Sequence, residues 1–141
     1  MSVSSLLLPV FVQIALTFSI MFWMGILRRR ALSSGVVREH EIALRQPNWP
    51  PRALQVANSF HNQLELPVLF YVLVAFILIT STNSFIFVLL AWVFVLSRIV
   101  HAYIHTGTNE VLPRSMALGV GAIALVAMWA IFAVRVLASG A

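Results

Sequence analysis

A chain of 141 residues suffices for one domain, but 61% of its residues are hydrophobic, only 9% are charged, and the mean hydropathy is +0.97. That composition excludes a water-soluble globule and implies a polytopic membrane protein. The net charge of +5 does not point to nucleic acid, because the arginines sit mostly at the ends of apolar runs, and the lack of cysteine excludes disulfides, thiolate metal sites and cysteine nucleophiles.

Residues 6–27 carry no charge and can cross about 30 Å of hydrocarbon as a helix. Arg28, Arg29 and Arg30 stop this first span. No charged segment precedes the run and no small-residue cleavage site follows it, which argues against a cleaved signal peptide. Residues 31–51 read as a loop that ends in Gln46-Pro47-Asn48-Trp49-Pro50-Pro51. Prolines suit the first turn of a helix, so the second helix is expected to open at Pro50 or Pro51, with Trp49 at the membrane interface.

The second helix, expected over 51–80, changes character along its length. At about 100° per residue, Gln55, Asn58, Asn62 and Glu65 fall in one arc with His61 beside it. From Leu66 onward the helix is apolar, and Pro67 predicts a kink just after Glu65. A polar stripe on a membrane helix must face protein, water or ligand rather than lipid.

Ser81-Thr82-Asn83-Ser84 is a short polar turn, so the second and third helices are antiparallel neighbours. The third span, 85–105, is apolar through Leu96 and then places Arg98, His101 and His105 on one face. Residues 106–110 break the pattern, Pro113 opens a fourth span over 113–137, and Arg114 lies in its first turn. Ala117 and Gly121 have the four-residue small-residue spacing of close helix packing.

The first and third loops and the helix ends beside them carry eight arginines (Arg28, Arg29, Arg30, Arg38, Arg45, Arg52, Arg98 and Arg114), whereas the other side has Arg135 alone. The positive-inside rule then places loop one in the cytoplasm and both termini outside. Glu65 and Arg98 are costly at membrane depth unless partnered, and the simplest expectation is that they pair with each other. His61, His101 and His105 raise the question of a metal, but no carboxylate joins them in a ligand pattern, so none is expected. The chain has no aspartate and no Gly-x-Ser-x-Gly element, which leaves no catalytic triad.

Asn62-Gln63-Leu64-Glu65-Leu66-Pro67 followed by Phe70, on a second helix entered from a basic loop, resembles the signature of the membrane-associated proteins in eicosanoid and glutathione metabolism, the MAPEG family. The run from Asn58 to Tyr71 is most similar to bacterial members. The resemblance implies an all-α integral membrane four-helix bundle, assembled as a homotrimer in a bacterial inner membrane, with glutathione held between subunits near the cytoplasmic face. It implies glutathione transferase or peroxidase chemistry on a hydrophobic electrophile or a lipid hydroperoxide. Tyr103 and Arg114 lie in the region that supplies the family's tyrosine and thiolate-stabilising arginine, and are the implied catalytic residues. Asn62 and Glu65 would hold the tripeptide's polar groups, joined by Arg98 and His101, with Asn58 and Arg52 behind them. Glutathione-using members commonly carry an arginine four residues before the motif asparagine, and Asn58 stands there in this chain. The competing expectation is a non-catalytic accessory or scaffold subunit, in which the same stripe serves helix packing.

Overall fold

The computed structural model describes residues 2–138. Its helices are α1 (Val3–Ser33), α2 (Pro51–Asn62), α3 (Leu66–Ile79), α4 (Phe85–Thr106) and α5 (Val111–Ala138), with a single 3-10 turn at Glu39–Glu41 in loop one. Taking α2 and α3 together, four helical segments are long and apolar enough to cross a bilayer. The fold is all-α among the described residues, as the composition requires.

Each boundary has a local cause. Ser2 caps α1, its hydroxyl accepting the Ser5 N–H at 3.2 Å. Helix α1 continues past the arginine triplet to Ser33 and ends where Gly35 adopts φ 72°, a conformation glycine reaches without steric cost. Pro51 occupies the first position of α2, where its missing N–H leaves no bond unmade.

The expected kink at Pro67 is a full break. Helix α2 stops at Asn62, residues 63–65 form a turn, and Glu65 has φ −96° and ψ −105°, outside the helical region. Pro67 has no N–H and its ring excludes the carbonyl four residues back, so it sits in the first turn of a new helix, α3.

Two packed regions hold the bundle. The larger joins Leu6 and Val10 of α1, Phe70, Leu73 and Ile77 of α3, Phe87, Phe94 and Val95 of α4, and Leu125, Met128 and Phe132 of α5. Phe70 stacks on Phe94 with ring centroids 4.7 Å apart. The smaller, toward loop one, joins Ile20, Val56 and Ala102. The outer surface is apolar, with Phe11, Phe22, Leu96, Ile123 and Val126 all exposed. Since lipid tails match such side chains, cohesion between the helices rests on close packing and buried polar contacts rather than on exclusion of water.

At the end opposite loop one, Arg135 Nη1 donates to the Thr82 carbonyl at 3.1 Å and to Ser84 Oγ at 2.9 Å, and its guanidinium lies 5.0 Å from the Phe87 ring. This ties the last turn of α5 to the turn between α3 and α4. Gly121 is buried where α5 crosses α4, and a Cβ there would collide with Ser97 Oγ. Replacing Gly121 by Leu is expected to cost about 1–3 kcal/mol through overpacking, seen as a lower midpoint in thermal unfolding of the detergent-purified protein.

Candidate functional site

An α-helix leaves its last carbonyls without partners. At the loop-one end, α2 supplies them for α4. Arg52 Nη1 donates to the Thr106 carbonyl, and Gln55 Nε2 donates to the carbonyls of His105 at 2.8 Å and Gly107 at 3.1 Å. A cation at a helix C-terminus also complements the helix dipole. Arg52 bonds Gln55 Oε1 at 3.1 Å as well and stacks on Trp23 at 4.8 Å, so this predicted ligand-binding residue is committed to closing α4.

The break between α2 and α3 is held from two sides. Arg98 Nη2 donates to the Asn62 carbonyl at 2.9 Å, taking an acceptor that an unbroken helix would have used internally. From α1, Gln13 Nε2 donates to Gln63 Oε1 at 2.9 Å, and both glutamines are buried. Gln63 Nε2 in turn donates to the Ser59 carbonyl at 3.3 Å.

The expected ion pair between Glu65 and Arg98 does not form. Arg98 is 0% exposed, whereas Glu65 lies on the outside of the protomer, within coulombic reach but not in contact. The reason lies on α2, which turns its small residues Ala53, Val56, Ala57 and Ser59 inward. Close approach to α1 and α4 requires small side chains on that face, so the amide and acidic groups are left outside.

The predicted residues therefore fall into two sets. Inside the protomer lie Arg98 and His101, with His105 stacked on His101 at a centroid separation of 5.4 Å. Arg98 Nε and Nη1, both ring nitrogens of His101 and Ser59 Oγ have no hydrogen-bond partner among the described residues. On the outside lie Asn58 and Glu65, both exposed, and Asn62, half-buried with its Nδ2 donating to the Asn58 carbonyl at 3.3 Å. Tyr103 is 80% exposed on the outer side of α4. Arg114 is half-buried at the start of α5 and donates to Asn109 Oδ1 in the third loop. Its charge reaches His101 and His105, which places it at the same end of the bundle.

The outer set offers one carboxylate acceptor, two amides, a phenol and one guanidinium. The inner set offers one guanidinium, two imidazoles and a hydroxyl, with no anion among them. Sequence reasoning missed Gln13, Gln63 and Ser59. A signal existed for Gln13, the only amide in the charge-free run of the first span.

These features define an integral membrane helical bundle with a polar end on the side of its basic loops. The chain belongs to the MAPEG family, whose family model matches residues 6–134. Comparison with curated proteins and with solved structures gives no match.

The glutamine pair provides a test of the break. Replacing Gln13 alone by Leu strands the buried Gln63 oxygen and is expected to cost about 1–3 kcal/mol, whereas replacing both glutamines by Leu is expected to cost less than the single change. Unfolding midpoints of the three proteins in one detergent check the order.

Proposed function

We propose that the chain acts as a homotrimer that binds glutathione between neighbouring copies at the loop-one side, and conjugates it to a hydrophobic electrophile or uses it to reduce a lipid hydroperoxide. The observation that carries this reading is the exposed Glu65 carboxylate. Helix α3 has 14 residues and covers about 21 Å at ~1.5 Å per residue, so hydrocarbon of ~30 Å reaches up to the break where Glu65 sits. A carboxylate facing lipid there is unfavourable by a few kcal/mol, so another copy, a ligand or both must cover it.

Glutathione carries two carboxylates and one ammonium. Glu65 supplies the single acceptor for the ammonium, and Asn58, Asn62 and Arg114 supply donors for the carboxylates and the sulfur. Arg114 is the cation placed to favour thiolate over thiol, as a nearby positive charge does. Tyr103, directed away from its own protomer, reaches such a site only where a second copy packs against α4. Arg98, His101 and Arg52 act as positioning residues: the first two are sealed inside the bundle, and Arg52 is engaged by α4. Family membership supports the chemistry, and the basic first loop supports a cytoplasmic site in a bacterial inner membrane.

One observation favours the second reading, a scaffold without glutathione chemistry. Asn58 stands where glutathione-using members carry an arginine, and Arg52 does not stand in for it because its guanidinium is turned to the end of α4, where Nη1 donates to Gln55 Oε1 and to the Thr106 carbonyl. Calorimetric titration of the purified protein with millimolar glutathione, alongside its oligomeric mass, separates the two. Saturable binding that weakens about tenfold or more in Glu65→Gln with the trimer intact is expected, since a charge-assisted bond contributes about 1.5–3 kcal/mol. No heat with the wild-type protein, or loss of the trimer in Glu65→Gln, sinks the transferase reading.

A further inference from the structure

Loop one does not lie flat on the bundle. Between it and the outer side of α2 is an open cleft of about 620 Å³, within the size range of small-ligand sites. Its polar lining includes Arg28 from the end of α1, Arg45 from the loop, and Asn58 and His61 from α2. Among the described residues, none of these four side chains donates a hydrogen bond to another residue, and Arg28 Nε is buried without an acceptor. Arg28 is fixed instead by stacking over Trp49, 4.9 Å from the ring centroid.

No carboxylate lines the cleft. Of the two acidic residues in loop one, Glu41 turns its carboxylate to the Arg38 N–H at 2.8 Å, and neither it nor Glu39 is part of the wall. The cleft thus presents two permanent positive charges and no carboxylate to pair with a cationic group. That chemistry selects an anion and disfavours both a zwitterionic headgroup and the ammonium of glutathione. The rest of the wall is apolar, through Leu54, Phe60 and Leu64, with Leu64 exposed on the outer surface.

We infer that this cleft seats the phosphate headgroup of an anionic membrane lipid, with Arg28 and Arg45 on the phosphate and an acyl chain leaving along Leu64. A free phosphate shares the head chemistry but gains nothing from the apolar wall. The site is distinct from the outer set around Glu65, although Asn58 borders both.

Native mass spectrometry of the protein released from a neutral maltoside detergent tests the assignment. The sample contains equal concentrations of dioctanoyl phosphatidylglycerol and dioctanoyl phosphatidylcholine. One phosphatidylglycerol per chain is expected to be retained in preference to phosphatidylcholine, with the bound fraction falling about fivefold in Arg28→Gln and again in Arg45→Gln. Arg45 makes no side-chain bond, so its variant remains informative if Arg28→Gln loosens Trp49. Equal retention of the two lipids, or no change in either variant, overturns the proposal. Displacement of the lipid by inorganic phosphate assigns the cleft to a free anion and overturns the lipid. Displacement by glutathione assigns it to the thiol site and overturns the proposal too, whereas absence of glutathione binding leaves the lipid result standing by itself.

Discussion

A helix broken inside a bilayer must find donors for the carbonyls it orphans, because no water is there to supply them. In this chain the break falls between Asn62 and Leu66, and the donor is the guanidinium of Arg98 on the neighbouring helix. A buried cation is itself expensive, so the contact serves both partners: the carbonyl is satisfied, and the charge gains an acceptor. The Gln13–Gln63 bond closes the same turn from the other side, and together these two contacts fix where Glu65 leaves the helical path. The register of the outer polar stripe follows from them.

Both ends of the bundle use arginine in the same way. Arg52 reaches the carbonyl of Thr106, and Arg135 reaches that of Thr82, so each clamps one element to the end of another. Residues that sequence reasoning treats as topology markers are thus also the bonds that close helix ends. For Arg52 this removes a donor from the candidate site.

The architecture was legible because the physics of the bilayer is strict. Charge-free runs, an arginine triplet, a four-residue polar turn and Pro67 leave few alternatives to antiparallel spans, and the run from Asn58 to Tyr71 pointed to the family. The polar stripe on α2 and the face of α4 bearing Arg98, His101 and His105 could also be read from spacing. What spacing did not show is whether those two faces meet. The assumption that polar packs on polar was reasonable, but Ala53, Val56, Ala57 and Ser59 offered a narrower surface for close packing and took the inward side. Periodicity gives a helix its faces without ranking them, and in α2 the steric demand of neighbouring backbones outweighed the pull between Glu65 and Arg98. The lone Gln13 in the first span was a readable hint of a buried partner, though not of which one.

The non-helical residues 63–65 divide one membrane crossing into two rods with different attachments. The upper rod, α2, rests on α1 and α4, while the lower rod, α3, rests on α1 and α5 and meets α4 through the Phe70–Phe94 stack. Glu65 sits at the joint itself, so its depth is set by the contacts that hold the turn, Arg98 to the Asn62 carbonyl and Gln13 to Gln63, and not by the register of either rod.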